Sequence, residues 1–247
     1  MIARASAAAA YLKRSDPAYK WRLSLADCPN CGKSVFLSFG PNDFMTRCLR
    51  CRATITNLSL IPVIKQHCAD PSTCSAYELS TYGSTLQFLQ RHFGSVATSE
   101  YITERPLGQI INGIQNQDVQ RLTFPDDSFD VITSNQVFEH VPDDIQGFKE
   151  CARVLKPGGA LIFSVPLKSI PATKQLARLT DSGVEIFGTP EYHGSRHGGM
   201  TALTFWHHSI NDICARVGSA GFRSVNLVDV MIAPCQRHAA KVIYAIK

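Results

Sequence analysis

The chain has 247 residues, of which 45% are hydrophobic and 18% are charged, a composition typical of a folded protein with a packed core and not of a disordered one. No run of about 18 apolar residues is present, so we expect no membrane span. The first residues are too short and too mixed a stretch for a signal peptide. We therefore expect a cytoplasmic protein with one large domain and a small appendage.

The net charge of +5 is unevenly distributed along the chain. Residues 1–70 contain ten Lys and Arg against four Asp, whereas the remainder contains 15 basic and 16 acidic residues. One interpretation is an acidic or phosphorylated partner, including nucleic acid. The other is a solvated small unit whose thiolate–metal cluster carries negative charge. We favour the second because aromatic residues are not interleaved with the basic ones.

Four of the nine cysteines form two C-x-x-C pairs, Cys28 with Cys31 and Cys48 with Cys51, with sixteen residues between the pairs. Two such pairs can enclose one ion in a tetrahedron of sulfur, the usual arrangement of a structural zinc site. Metal binding explains the cysteines better than disulfides, because no secretion signal is recognised. The spacing predicts a zinc module over about residues 26–54, within an N-terminal unit of residues 1–70. A closed sulfur shell leaves no coordination position for catalysis.

The segment before the main domain is predicted to contain a short helix near Ala5–Lys13 and a helical segment around Leu60–His67. From Ala76 onward, strands and helices alternate, which predicts a doubly wound α/β domain over residues 71–247 with a mostly parallel sheet covered on both faces. The predicted elements are strand Ala76–Leu79, helix Thr85–Phe93, strands Ser95–Thr98, Ile114–Gln117 and Phe129–Thr133, helix Ile145–Leu155, strand Ala160–Val165, helix Ile210–Val217, and a closing hairpin of Val225–Met231 and Lys241–Ile246. Residues 170–206, rich in Gly, Pro and His, interrupt the alternation and are predicted to form an insertion.

Residues 117–166 read QDVQRLTFPDDSFDVITSNQVFEHVPDDIQGFKECARVLKPGGALIFSVP. The central strand in this segment ends in polar residues at its carboxyl edge, where open α/β sheets bind ligands. The segment closely resembles class I S-adenosylmethionine (SAM)-dependent methyltransferases of the subgroup with D-A-x-x-L-P-F-x-D-x-S-F-D, E-H-V-x-D and R-V-L-K-P-G-G motifs. This resemblance implies a seven-stranded, Rossmann-like sheet, a SAM cofactor and transfer of a methyl group.

The resemblance also implies a set of cofactor-binding residues: Glu78, Ser80, Gly83, Glu100, Asp118, Val119, Asn135 and Gln136. In the family, the residue matching Glu78 begins the glycine-rich loop, and the one matching Glu100 holds the ribose hydroxyls. Asp118 with the Val119 backbone matches the adenine contact, while Asn135 and Gln136 match the residues beneath the methionine part. The first loop differs from the family, since residues 78–84 contain one glycine where the family has three.

Methyl transfer requires mainly that donor and acceptor be positioned, and a general base helps when the acceptor is a hydroxyl or a protonated amine. His193, which follows Glu191 and Tyr192 in the insertion, is the first candidate for this base, and His140 is the second. We expect residues 170–206 to form a lid over the acceptor. Some relatives use the E-H pair with an acidic residue three places earlier to bind a divalent metal; Gln136 occupies that place here, which argues against such a metal.

His207 and His208 precede the last predicted helix, and we expect them to cap it or to lie on the surface. The sequence therefore predicts a SAM-dependent methyltransferase that acts on oxygen or nitrogen of a small molecule or sugar. Two alternatives remain. The first is an RNA methyltransferase that binds RNA through the zinc module, because some ribosomal RNA enzymes place such a module before this fold. The second is a non-catalytic domain, which the altered glycine loop favours. The oligomeric state is not predicted.

Overall fold

A computed structural model describes residues 20–194 and 200–247; the predicted helix Ala5–Lys13 lies outside these ranges. The strands are β1 Arg22–Cys28, β2 Gly32–Ser38, β3 Thr46–Cys48, β4 Ser75–Glu78, β5 Ser95–Glu100, β6 Ile110–Ile111, β7 Ile114–Asn116, β8 Phe129–Asn135, β9 Leu155–Ser164, β10 Leu167–Lys168, β11 Lys174–Gln175, β12 Ala177–Thr180, β13 Gly183–Ile186, β14 Tyr192–Gly194, β15 Met200–Leu203, β16 Trp206–Ser209, β17 Ser224–Val230 and β18 Ala240–Ile246. The α-helices are α1 Ile55–His67, α2 Ser84–His92, α3 Asp144–Val154 and α4 Ile213–Gly218. Among these helices none is long and apolar enough to cross a membrane.

The main sheet has eight strands in the order β17-β18-β9-β8-β4-β5-β7-β6. The five strands from β9 to β7 are parallel, and β17 and β18 form the predicted closing hairpin. Seven strands were expected, and the eighth is the two-residue strand β6, which pairs antiparallel with β7. Asn112 and Gly113 join them with positive φ angles of 51° and 78°, the backbone of a tight hairpin turn. The Asn-Gly dipeptide is typical of such turns and could have predicted this hairpin from the sequence.

Helices cover both faces of the sheet, as the alternation of elements predicted. The buried side chains of α3 and α4 pack on one face, and those of α1 and α2 pack on the other. Helix α1 begins five residues earlier than expected, because Thr54 caps it: the Thr54 hydroxyl accepts a hydrogen bond from the Asn57 amide at 3.3 Å. Most side chains of α1 are apolar and buried, because the helix lies between the sheet and the N-terminal module.

The N-terminal module is a three-stranded antiparallel sheet of β1, β2 and β3. Cys28, Phe36 and Cys48 of this module belong to the same buried core as α1 and Val242 of β18. The N-terminal module and the main domain thus share one apolar core. The division of the chain into two units at residue 70 stays a prediction.

The insertion after β9 is more regular than the expected irregular stretch. It contains the small sheet β10-β16-β11 and two hairpins, β12-β13 and β14-β15. Their strands are only two to four residues long, too short to give a readable alternation between the Gly and Pro residues. His208 was expected to cap the last helix or to lie on the surface, and this was wrong: it lies on β16 with a fully buried side chain and bonds Asp144 of α3 at 2.9 Å.

Candidate functional site

Three parallel strands bring the predicted cofactor residues to one edge of the sheet. Glu78, Glu100 and Asn135 are the last residues of β4, β5 and β8, which are hydrogen-bonded in the order β8-β4-β5. The carboxyl ends of parallel strands form the ligand-binding edge of such a sheet. The structure thus gathers side chains that lie 57 residues apart in the chain.

Glu78 is buried beneath this edge. Its carboxylate accepts hydrogen bonds from the hydroxyls of Thr133 and of Ser80, the latter at 2.9 Å. Burial raises the pKa of Glu78 to about 8, and the two hydroxyl donors only partly offset this effect. Glu78 therefore links the loop after β4 to strand β8 through these two hydrogen bonds.

The loop that follows β4 is held by side-chain hydrogen bonds. The backbone amide and the hydroxyl of Thr81 donate to Glu100 Oε1 at 2.9 and 2.6 Å. Gly83 has a φ of 106° where the loop enters α2, a conformation that residues with a Cβ rarely adopt. The one glycine of this loop is thus at the position where the backbone requires it.

The remaining predicted cofactor residues follow β7 or lie at the end of β8. Asp118 lies beyond β7, and its carboxylate accepts from the backbone amide and side-chain amide of Gln120 at 2.9 and 3.1 Å; Val119 beside it is buried. Asn135 donates to the Thr85 hydroxyl at 2.9 Å. Gln136 has a φ of 55°, uncommon for a residue with a side chain, and such strain tends to occur at ligand sites.

The two predicted catalytic histidines are in direct contact. His140 lies on a 3₁₀ turn after β8, and His193 lies on β14 of the insertion. Their nearest ring nitrogens, His140 Nε2 and His193 Nδ1, are 3.2 Å apart. Glu139 lies beside both, with its Oε1 3.7 Å from His140 Nε2 and 3.8 Å from His193 Nδ1. We call Glu139, His140 and His193 the Glu139 cluster.

Burial shifts the pKa values of Glu139 and His140. It raises the pKa of Glu139 to about 8 and lowers the pKa of His140, because a charged form is poorly solvated there. His140 Nδ1 contacts the Leu203 carbonyl at 2.8 Å, which fixes the orientation of the ring. Leu203 belongs to β15, so this contact joins the insertion to the turn that follows β8.

Glu191 and His207, to which the sequence analysis gave no catalytic role, complete the surroundings of the cluster. Glu191 accepts from His193 Nε2 at 3.1 Å and from His207 Nε2 at 2.6 Å. Burial alone would raise the pKa of Glu191, but the hydrogen bonds from His207 and His193 lower it overall. No spacing pattern in the sequence could reveal that His140, Glu191 and His207 converge, because they come from separate elements.

The four cysteines of the N-terminal module also converge. All four sulfurs lie within 4.8 Å of one another, with Cys28 to Cys51 at 3.7 Å and Cys31 to Cys48 at 3.5 Å. A zinc ion about 2.3 Å from four tetrahedral sulfurs would separate them by about 3.8 Å. The contact between Cys28 and Cys51 raises the pKa of Cys28 and lowers that of Cys51. The geometry fits a zinc site.

Two cavities lie apart from the cofactor edge. One of 320 Å³ is at the opposite, amino end of the strands, where Cys74, Asp130 and Gly158 contribute to its lining. Another of 430 Å³ lies between the insertion and α3, against Gln120 and Trp206. Gln120 in the lining of the second cavity bonds Asp118, the residue predicted to contact adenine, whereas the lining of the first includes none of the predicted cofactor residues.

Comparison with known proteins identifies the matching part of the chain. Residues 81–163 match the family described as a methyltransferase domain. A ubiquinone biosynthesis O-methyltransferase from Coxiella burnetii is 48% identical over 50 residues, 20% of this chain and 21% of the relative. A demethylmenaquinone methyltransferase from Lysinibacillus sphaericus is 38% identical over 74 residues, 30% of each chain. The matches thus span about a fifth to a third of these relatives' lengths.

Solved structures share the fold over most of the chain. A SAM-dependent methyltransferase from Mesorhizobium loti superposes with a TM-score of 0.51 and 15% identity, covering 76% of this chain and 98% of the other. The 1,6-didemethyltoxoflavin-N1-methyltransferase of Burkholderia thailandensis, solved with S-adenosylhomocysteine, gives a TM-score of 0.50 and 13% identity, covering 78% of each chain. Residues 81–163 thus resemble a methyltransferase domain, and the solved structures share the fold of most of the chain.

Proposed function

We propose that this chain transfers a methyl group from SAM to an oxygen or nitrogen of a small-molecule or sugar-type acceptor. The main observation behind the proposal is that the predicted cofactor residues and the Glu139 cluster lie at the same edge of the sheet. The predicted cofactor residues Glu78, Glu100 and Asn135 end three neighbouring strands, and the Glu139 cluster follows directly after β8. A donor bound at the strand ends would therefore face the histidines of the insertion.

The cofactor assignment for these residues rests on their positions. Glu100 ends β5 and receives two hydrogen bonds from the loop that would lie over the ribose. Asp118, on the far side of β5, has the acceptor oxygens that an adenine amine requires. SAM supplies an electrophilic methyl group, which the acceptor's lone pair displaces from sulfur. The residues of this chain hold the two reactants in line and exclude water.

The Glu139 cluster supports an acceptor that has to lose a proton. His193 first and His140 second are the proposed general bases, since their nearest ring nitrogens face each other within the cluster. The names of the relatives, which include O-methyltransferases of quinone-type small molecules, agree with a small acceptor. The insertion, including residues 195–199 outside the described ranges, is the proposed lid.

SAM binding is the first test of the function. Calorimetry of the full chain with SAM should show binding, and Glu100→Ala should weaken it by roughly 1.5–3 kcal/mol, the range for hydrogen bonds to a charged group. Asp181→Ala, which removes an exposed carboxylate in the β12–β13 turn, is the matched control and should bind SAM like the wild type. A wild-type chain that does not bind SAM would favour a non-catalytic domain instead.

The four-cysteine module is proposed to hold one structural zinc ion through Cys28, Cys31, Cys48 and Cys51. The sulfur distances match a tetrahedral site, and the module shares its core with α1. Zinc would hold β1, β2 and β3 together where the apolar contacts of so small a sheet are few. It would take no part in methyl transfer, since four thiolates fill its coordination shell.

A further inference from the structure

Two cysteines outside the four-cysteine module line one cavity together. Cys68 and Cys74 both contribute to the wall of the 320 Å³ cavity at the amino end of the strands. Neither belongs to the cluster of four sulfurs, and both are free thiols. The other cysteines of the main domain, Cys151, Cys214 and Cys235, take no part in the lining of this cavity. The cavity therefore presents a pair of thiols that neither the proposed zinc site nor the cofactor edge uses.

The backbone fixes both cysteines at the ends of one short loop. Cys68 ends α1, and its amide donates to the Ile64 carbonyl at 2.9 Å. A 3₁₀ turn, Pro71–Thr73, follows, and the Cys74 amide donates to the carbonyl of the first residue of this turn at 3.0 Å. The Cys74 sulfur lies 3.4 Å from the Asp70 carbonyl oxygen, so its side chain points back into the loop that begins at Cys68.

The two thiols differ in exposure, and this gives them different roles. Cys68 is buried, whereas Cys74 is partly exposed at the cavity. Burial and, after it, the neighbouring Cys74 thiol raise the pKa of Cys68 to about 12. Because the thiolate is the nucleophile and needs access to its target, Cys74 should react first with a reagent that enters the cavity. A Cys74 sulfur held in a disulfide has no charge, so it no longer raises the pKa of Cys68.

We infer that Cys68 and Cys74 form a thiol–disulfide exchange site for a low-molecular-weight disulfide. The Cys74 thiolate attacks one sulfur of the reagent, and the other half of the reagent leaves as a thiolate that takes up a proton. The Cys68 thiolate then attacks the Cys74 sulfur of this mixed disulfide, and the second half leaves in the same way. The protein gives up two electrons and two protons, which the reagent gains as two thiols. The product is a bond between the Cys68 and Cys74 sulfurs.

This bond would join two elements that belong to different parts of the molecule. Helix α1 shares its core with the four-cysteine module, and β4 begins directly after Cys74 and ends at Glu78. Closing the loop restricts the unfolded chain, so oxidation should raise the melting temperature by roughly 5–10 °C. SAM affinity should not change, because the cofactor edge lies at the other end of β4. The inference is therefore independent of the proposed function.

The test treats the full-length chain, supplied with zinc, with oxidised glutathione in the absence of denaturant. The remaining thiols are then alkylated, and a trypsin digest is analysed by mass spectrometry. Trypsin cleaves after Lys65 and Arg91, so both cysteines fall in one peptide of residues 66–91. We expect this peptide to lose two hydrogens and to escape alkylation. Dithiothreitol should restore both thiols and return the melting temperature to its starting value.

Single variants separate the two steps of the exchange. Cys68→Ser should stop the reaction after the first step, with one glutathione retained on Cys74, and Cys68→Ala replaces it if the serine variant is unstable. Cys74→Ser should leave the buried Cys68 unmodified. Cys214→Ser, which removes another partly buried thiol, is the matched control and should form the bond like the wild type.

Three results for the wild type would overturn the exchange site. The first is a peptide 66–91 that is alkylated on both cysteines after the treatment. The second is glutathione that stays on Cys74, and the third is a bond from either thiol to a cysteine of another peptide. SAM calorimetry on the same samples tests the proposed function separately, since a chain that does not bind SAM can still form the Cys68–Cys74 bond.

Discussion

The pKa of a single residue in this protein depends on burial as much as on chemical type. Glu78 and Glu139 are both glutamates at the same sheet edge, and burial raises the pKa of each to about 8. Glu78 has hydroxyl donors, whereas Glu139 has no hydrogen-bond partner among the described residues. The first therefore suits a role in holding the loop.

The raised pKa of Glu78 predicts a pH-dependent cost to stability. A carboxyl group whose folded pKa is raised favours folding fully below its unfolded pKa of about 4.3, and this contribution is lost as pH rises through about 8. Glu78→Gln does not titrate, so its unfolding free energy should gain up to about 4 kcal/mol relative to wild type between pH 4.5 and 8. Urea unfolding of both proteins without SAM measures the difference.

Glu104→Gln, the same change at an exposed site, serves as the control for Glu78→Gln. Its difference from the wild type should stay constant over this pH range. An equally constant difference for Glu78→Gln would mean that Glu78 titrates normally in the folded protein.

At the scale of elements, an acidic side chain connects the insertion to the main domain. Asp144, the first residue of α3, contacts His208 of β16 at 2.9 Å and Arg216 of α4 at 2.8 and 2.5 Å. Arg216 also lies 4.3 Å from the ring of Trp206 on β16. These contacts hold β16 against α3 and α4, while the β14–β15 hairpin places His193 beside His140.

Asp144→Asn should lower the unfolding free energy by about 3–5 kcal/mol at neutral pH, since it leaves the charge of Arg216 without its buried partner. Burial alone would raise the pKa of Asp144, but the bonds from His208 and Arg216 lower it overall. A lowered carboxyl pKa gives stability that is present above the unfolded value of about 3.9 and is lost as pH falls through the folded value. The deficit of the variant should therefore shrink below about pH 4.

Asp143→Asn is the control for this prediction because it makes the same change one residue away. Asp143 caps α3 by accepting from the Gln146 amide at 2.9 Å, and asparagine caps helices about equally well. Thermal or urea unfolding should find it close to wild type. Equal losses in both variants would locate the effect in the helix terminus instead of the Asp144 contacts.

At the scale of the whole molecule, the N-terminal module and the main domain are packed as one body of side chains. The core that contains Cys28 and Cys48 continues through α1 to β8, β9 and β18. Lys65 of α1 and Arg91 of α2 donate to the backbone carbonyls of Pro29 and Asn30 beside the first cysteine pair. Loss of the proposed zinc ion should therefore lower the stability of the main domain as well as that of the module.

Cys48→Ser should lower the zinc content by one equivalent per chain and reduce the unfolding free energy by at least about 3 kcal/mol, or roughly 6–12 °C in melting temperature. We expect one cooperative transition, shifted as a whole, with SAM affinity little changed below it. Elemental analysis and calorimetric melting measure both quantities. Cys214→Ser, a partly buried cysteine on α4, controls for the chemical change. Two separate transitions would show that the module unfolds independently.

The sequence by itself determined most elements of the main domain and put Glu78, Glu100 and Asn135 at or just past the ends of predicted strands, while their cofactor roles stay predictions. Strand and helix periodicity located β4, β5, β7, β8, β9, α2 and α3 with ends within five residues, because each element buries its own apolar pattern, whereas the two-residue strand β6 was not predicted. The double C-x-x-C spacing predicted the cysteine cluster, since ligands two residues apart face one ion by local geometry alone.

Only the tertiary structure decided which distant side chains meet. His140 and His193 are 53 residues apart, and their contact depends on how β14 folds back over the sheet edge. The burial of His208 and the orphaned carboxylate of Glu139 likewise follow from the packing of the insertion, whose strands are too short to leave a periodic signal. Local sequence specifies conformation within one element, whereas a site built from several elements depends on non-local packing that spacing along the chain does not encode.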